Sequence, residues 1–291
     1  MIDLSPLTGK TVLIAGATGL IGSHMARQAL SAGATIVDRI FEYGPPFADF
    51  VIHSAGYGQP ARFEKTPIET IKVNTDATIR LMQTLKAGGK FLFCSSSEVY
   101  SGLYGKVTED QIGNTTPEHP RACYIEGKRC GEAIVNAYRK AGINAKSARI
   151  SLAYGPGTRK HDTRALNQFI EQALTRCRIE MKYSGREPRT FCYIDDAVDM
   201  LWQVLLYGKQ AVYNVGGESR TSMAGVATLI ARLTGADLVV PDIEKELIGA
   251  PPVVSMDLSR HEKEFGKREY INLEEGLKRT IEYQRGLYEQ I

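Results

Sequence analysis

The sequence predicts an α/β fold, a doubly wound parallel sheet with helices on both faces, followed by a smaller C-terminal α/β part. Three observations predict it. Short apolar runs alternate with longer amphipathic ones through the first 150 residues. A glycine-rich turn, GATGLIG, joins the first run to the second. After residue 150 the pattern changes, yet no repeat or flexible linker separates the two parts. Strand, helix, strand in succession leads to a parallel sheet covered on both faces.

Thr11–Ala15 (TVLIA) is a buried strand by its length, its β-branching and the glycine that ends it. Leu20–Ser31 reads as a helix stopped by Gly33. Thr35–Val37 and Phe50–His53 are short strands. Ile68–Lys86, apolar at 71, 79, 81, 82 and 85, predicts one long helix closed by Gly88-Gly89. Lys90–Cys94 is a strand, Tyr124–Lys140 a helix stopped by Gly142, and Ala145–Ile150 a strand. Between the strands at 35–37 and 50–53 lies Gly44-Pro45-Pro46. A parallel crossover needs about a dozen residues or more, usually a helix, and two prolines disfavour one here. The second strand region is therefore shortened, with one strand–helix unit missing or reduced. Beyond residue 150, Asp162–Leu174, Asp195–Tyr207, Ser222–Thr234 and Asn272–Tyr288 read as helices, and Ile179–Tyr183 and Val212–Val215 as strands.

The 291 residues make one large or two ordinary domains, at about 100–200 residues each. Hydrophobic residues at 43% and charged residues at 24% exclude a disordered, collagenous or coiled-coil chain. Lys plus Arg is 36 and Asp plus Glu 33, so the net charge of +3 offers nothing to nucleic acid or an anionic membrane. No apolar run approaches the roughly 18 residues that span a bilayer. The five cysteines (94, 123, 130, 177 and 192) are odd in number and form no C-x-x-C pair. They read as reduced thiols, which places the protein in the cytoplasm. No metal is expected.

Residues 16–22 form a G-x-x-G-x-x-G between a strand and a helix. Gly16 makes the tight turn, Gly19 lets the backbone approach a pyrophosphate, and Gly22 lets helix and strand pack closely. Leu20 and Ile21 open the helix, whose N-terminal N–H groups and dipole favour phosphate. The expected ligand is a dinucleotide, so residues 1–150 are a dinucleotide-binding (Rossmann-type) domain. Residues 151–291 then bind substrate, with 195–215 returning to the first domain. Asp38 is about where an acidic residue meets the adenosine ribose. It either ends strand two and binds ribose or ends strand three near adenine. Arg39 beside it could accept a 2′-phosphate, so NADP stays open beside the favoured NAD.

Of the 14 tyrosines only Tyr124 has a lysine four residues later, Lys128. On a helix the two share a face. By itself the spacing fits a surface contact equally well. Ser95-Ser96-Ser97-Glu98, however, follows the strand Lys90–Cys94 directly, at the sheet edge where ligands bind. An ordinary tyrosine has a pKa near 10. Lys128 and a positively charged nicotinamide would lower it. Tyr124 could then take a hydroxyl proton while hydride leaves for the cofactor, with Ser96 holding the same oxygen. Cys123, beside Tyr124, reads as a bystander.

These segments together resemble the extended short-chain dehydrogenase/reductases of the NAD-dependent epimerase/dehydratase family. The matching pieces are GATGLIGSH (16–24), VIHSAG (51–56), TPIETIKVNT (66–75), SSSEVY (95–100), YIEGK (124–128), ARISLAYGPG (148–157), PRTFCYIDDAV (188–198) and LEEGLKRTIEY (273–283). SSEVY, CYIEGKR and RTFCYIDD are most similar to the branch that decarboxylates UDP-glucuronate. The resemblance implies that Ser96, Tyr124 and Lys128 are catalytic and that Glu98 assists. It implies that Ser54, Ala55, Gly56 and Asn74 support the cofactor, that Ser97, Arg164 and Arg189 meet the substrate, and that the protein is a homodimer. The dimer would form through helices 68–86 and 124–140, with Ile79, Leu81, Met82, Ile134 and Val135 inside.

The chain departs from the pattern at Leu152, where relatives carry an Asn on the substrate diphosphate. It also has VVSM (253–256) before Asp257, where relatives often carry a basic residue. Ser97-Glu98 in place of Asp-Glu counts against a 4,6-dehydratase. The leading expectation is oxidation at the 4-position of a nucleotide-linked sugar, most like UDP-glucuronate decarboxylation. The alternatives are 4-epimerisation, an NADP-dependent carbonyl reductase, and a non-catalytic NAD(P)-binding sensor, the last disfavoured by the intact Ser96/Tyr124/Lys128 set.

Overall fold

The computed structural model describes residues 2–37, 47–241, 254–267 and 269–288. Asp38 and Arg39 lie outside the described residues.

Six parallel strands form the central sheet, in the spatial order Val212–Val215, Asn144–Ile150, Leu85–Ser96, Ala48–His53, Thr11–Ala15, Thr35–Val37. Alternate side chains point to opposite faces of a strand, and here both faces are apolar. Val12, Ile14, Phe50, Ile52 and Leu92 join one layer, under the helices Leu20–Ser31 and Ile194–Tyr207. Leu13, Ala15, Val51, Phe91 and Phe93 join the other, with Leu81, Met82 and Val135 from the opposite helices. A sheet buried on both sides accounts for strands such as TVLIA reading as continuous apolar runs.

The chain leaves Thr11–Ala15 for Thr35–Val37 on one side, then crosses back to Ala48–His53 on the other. This reversal is a topological switch point, and ligands of open parallel sheets bind in the crevice beyond the strand carboxyl ends there. Among the described residues only one strand lies outside Thr11–Ala15 on that side, in keeping with the shortened second region.

The single helix expected over 68–86 is two helices, Pro67–Asn74 and Asp76–Met82, followed by a strand beginning at Leu85. Thr75, at φ −110° and ψ −76°, breaks the helix. Leu85 pairs with Ala48, and the register shifts before Phe50 pairs with Lys90. Gly88, at φ +74°, lies inside this irregular strand and is not a helix stop. Leu81, Met82 and Val135, expected in a dimer interface, instead pack into this chain's own core.

The smaller part holds a three-stranded sheet, Ser219–Ser222, Pro188–Tyr193 and Leu152–Tyr154. Arg178–Glu180 pairs with Asp237–Val239, and Gly105–Val107 with Val254–Met256. The helix expected from Asp162 begins at Ala165, because Asp162 is engaged with Arg164 before it. Ser222 caps the helix Met223–Thr234, its Oγ accepting from Gly225 N at 3.0 Å. Among the described residues no helix is long and apolar enough to cross a membrane.

Candidate active site

Two of the three loop glycines are dictated by the protein's own packing. Gly16 turns at φ +90°, and a Cβ there would meet Ala55 N at 2.7 Å. A Cβ on Gly22 would run into the Gly16 carbonyl and Ser54 Oγ. Ser54 stitches the first and third strands together, its Oγ donating to Ala15 O at 2.9 Å. Gly19 differs. Among the described residues a Cβ there meets only Gly16 O, at 3.3 Å, so their packing asks little of this position. Gly19 caps the helix whose first residues are Leu20 and Ile21. The first N–H groups of a helix lack partners within it and suit a phosphate. The loop therefore fits a dinucleotide pyrophosphate.

Tyr124 and Lys128 sit in the first turns of the helix Ala122–Lys140, which starts at the carboxyl edge of the sheet. Both are buried. Ser96, the last residue of its strand, bonds the Tyr124 hydroxyl through its side chain, and its Oγ also accepts from Glu98 N at 3.2 Å. Lys128 Nζ donates to Cys94 O at 2.8 Å. A Cβ on Gly56 would lie 3.7 Å from the same Nζ, so the 54–56 turn borders the lysine. Asn74 packs on this helix at Gly127 and Gly131. Its Nδ2 donates to Thr70 O at 2.7 Å, while its Oδ1 is buried with no partner. The structure thus brings Ser96, Glu98, Tyr124, Lys128, Gly56 and Asn74 around one helix end.

Arg121 and Phe63 were not anticipated. The Arg121 guanidinium bonds the Glu98 carboxylate and lies 5.2 Å from the centre of the Phe63 ring, which stacks on Tyr124 at 4.9 Å and 10°. Glu98 Oε2 and Arg121 Nε are buried without partners. Arg121 stands one turn before Tyr124 in PRACYIEGK, and beginning the helix at Tyr124 hid that spacing. Arg189 lies near enough to the pair for its charge to act on Glu98. Ser97, half-buried, opens the short turn Ser97–Tyr100. Arg164 is gripped by Asp162 through Nε at 2.9 Å and Nη2 at 2.8 Å. Gln59 Nε2 donates to Asp162 at 3.2 Å, linking the smaller part to the first domain. Among the described residues Arg164 is thus tied to Asp162 and to no member of the Tyr124 group.

The electrostatics depart from one expectation. Burial, and then the Glu98 carboxylate, push Tyr124 up to about 12, against the Ser96 hydrogen bond and Arg121. Burial brings Lys128 itself down to about 8. Burial also raises Glu98, against the two guanidiniums of Arg121 and Arg189. Cys123 is likewise raised, chiefly by burial, which suits an inert thiol.

Both departures from the family pattern have structural counterparts. Leu152 presents an apolar side chain that is 44% exposed. Asp257 pairs with Lys106 at 2.9 Å and accepts from the backbone N of Ser259, the first residue of the helix Ser259–Phe265, at 2.8 Å.

The model of the NAD dependent epimerase/dehydratase family matches residues 37–216. The chain belongs to that family. It is an NAD-dependent enzyme on an extended short-chain dehydrogenase fold. UDP-glucuronic acid decarboxylase 1 of Xenopus tropicalis is 30% identical to it over 97% of this chain and 74% of its own length. MoeE5, solved with UDP-glucuronic acid and NAD, is 25% identical with a TM-score of 0.81, covering 95% of this chain and 99% of its own. Epimerase Mth375 of Methanothermobacter thermautotrophicus, at 19% identity, shares the fold with a TM-score of 0.82 over 98% of this chain and 95% of its own.

Proposed function

We propose that this family member oxidises the 4-hydroxyl of a nucleotide-linked uronic acid, with UDP-glucuronate the leading substrate, and releases carbon dioxide from the resulting 4-keto acid. The observation that carries the reading is the Glu98–Arg121 pair, with Arg189 near it, directly beside Tyr124. A site with two guanidiniums and one carboxylate suits an anionic sugar. The decarboxylases and the UDP-glucuronate-bound neighbour among its relatives support the same class.

Gly16, Gly19 and Gly22 would hold NAD, with residues 54–56 bordering Lys128, and the bound cofactor would supply the hydride acceptor and donor. Tyr124 takes the proton of the sugar 4-hydroxyl, and Ser96 hydrogen-bonds that oxygen. Tyr124 needs the positive charge of the bound cofactor to do so, because its own surroundings hold it up at about 12. Loss of carbon dioxide breaks the C5–C6 bond and leaves its electron pair in an enolate. Glu98, raised by burial, would return a proton to C5. Asn74 braces the helix, and Ser97 and Arg164 border the substrate. Arg189 binds the substrate phosphate or carboxylate. Arg189→Met should weaken substrate binding roughly tenfold to a hundredfold, the worth of a hydrogen bond to a charged group. Calorimetry on this variant with UDP-glucuronate checks it, and unchanged affinity removes Arg189 from the site.

The nucleotides that purified protein carries distinguish this reading from an NADP-dependent reductase. Mass spectrometry of the nucleotides freed on denaturation should find NAD. Bound NADP would favour the reductase and count against internal return of the hydride.

The protein is proposed to be a homodimer in the cytoplasm. Ile68, Ile71 and Ile79 leave 61%, 44% and 38% of their surface exposed on the two helices Pro67–Asn74 and Asp76–Met82. With the helix Ala122–Lys140 beside them, two copies would bury these side chains in a four-helix contact. Light scattering at micromolar concentration should give twice the mass of one chain. A monomer would refute the contact.

A further inference from the structure

Tyr124, Lys128 and Glu132 follow at four-residue spacing along one stripe of a single helix. Each meets the end of the strand Leu85–Ser96: Tyr124 at Ser96, Lys128 at Cys94 O, and Glu132 at Ser95, whose Oγ donates to Oε1 at 2.5 Å. Glu132 is buried, and nothing in the proposed chemistry uses it. Its carboxylate also receives Arg149, with Nε at 3.0 Å from Oε1 and Nη2 at 2.8 Å from Oε2. Arg149 continues to the Tyr100 hydroxyl at 2.9 Å and to the carbonyls of Glu109 and Gln111. Tyr100 donates to Asn214 Oδ1 at 2.7 Å, so the network runs from the helix under the SSSEVY segment to the sheet edge.

We infer that Glu132 is a positioning residue. It pins the helix to the strand that ends in Ser96, and its negative charge is the one that keeps Lys128 an ammonium.

The groups around Lys128 support this. His53, on the strand Ala48–His53, is brought down to about 4 by burial and by Lys128 and is neutral. Cys94 is pushed up to about 12 by burial and is neutral too. Tyr124, on the same helix, is neutral until a cofactor charge acts on it. Cys94 and Glu132 are the groups that raise Lys128 against its burial, and of these Glu132 is the one held in an ion pair, with Arg149 Nη2 at 2.8 Å. Arg149 draws on the same carboxylate but extends away toward Tyr100. Removing the carboxylate therefore leaves a buried ammonium with no counter-charge, and Lys128 should give up its proton at lower pH.

The test reads Lys128 directly, so it holds whatever the sugar substrate is. In protein labelled with ¹³C at the lysine ε-carbon, the Lys128 signal, assigned by its loss in Lys128→Met, is titrated by NMR. Glu132→Gln should move its midpoint down by about one pH unit, the lower end for loss of a nearby opposite charge. Ser95→Ala, which keeps the carboxylate and Arg149 together, should leave the midpoint in place. Glu132→Gln alone strands a buried cation and could fail to fold. The double variant Glu132→Gln/Arg149→Met removes both charges and should show a smaller shift in the same downward direction, because loss of the Arg149 cation offsets part of the effect. An unshifted midpoint in the folded single or double variant overturns the inference. So does an equal shift in Ser95→Ala, which would make the effect one of packing.

Discussion

Tyr124→Phe should bind NAD almost normally and turn over substrate roughly 10²–10⁴ times more slowly, the usual cost of losing a positioned general base. The substitution keeps the ring, so its stacking on Phe63 at 4.9 Å and its place beside Lys128 survive. It removes the hydroxyl that Ser96 bonds, and with it the proton acceptor for the sugar oxygen. Calorimetry for NAD and a rate assay on one preparation separate the two effects. Equal turnover by the variant and the wild type, on any substrate that works, would reject the mechanism. Glu98→Gln should be milder on the oxidation, which depends first on Tyr124, and more harmful to the steps after it.

Gly19→Val should abolish cofactor binding and leave the fold largely intact. The reason lies in the contrast among the three glycines. A side chain at Gly16 would strike the backbone of Ser54 and Ala55, and one at Gly22 the backbone of Gly16, so their loss would damage folding as well. At Gly19 the only close atom among the described residues is Gly16 O, at 3.3 Å, which a small backbone shift can relieve. A branched side chain there enters the space a pyrophosphate needs at the helix N-terminus. Circular dichroism should match wild type while calorimetry detects no NAD binding. Undiminished affinity would remove this loop from the cofactor site.

Much of the first domain was legible because short β-branched runs and glycines punctuate it sharply. Thr11–Ala15, Leu20–Ser31, Thr35–Val37 and Val212–Val215 have the bounds the sequence predicts. The 68–86 region misled because its apolar spacing suits a helix and Gly88-Gly89 suits a helix stop. Only pairing with Ala48 turns Leu85 into a strand residue. Pro188–Tyr193 and Ser219–Ser222 lack a clean period because they are short and carry polar residues. At the site, Ser96, Tyr124 and Lys128 were readable since motif and spacing lie along the chain. The Glu98–Arg121 contact spans 23 residues, and Ser95–Glu132 spans 37. Such contacts are tertiary, and no local pattern announces them. Asp38 and Arg39 lie outside the described residues, so NAD rests on the family and not on that pair.

The central claim is that Tyr124 drives oxidation of a nucleotide-linked uronic acid that then loses its carboxyl carbon. The most direct test is release of labelled carbon dioxide from UDP-glucuronate carrying ¹³C at the carboxyl carbon, measured for wild type and Tyr124→Phe side by side. Wild type should release the label without added NAD beyond what it carries, and Tyr124→Phe should release almost none. No labelled carbon dioxide from NAD-loaded wild type, or the same rate from both proteins, would contradict the account.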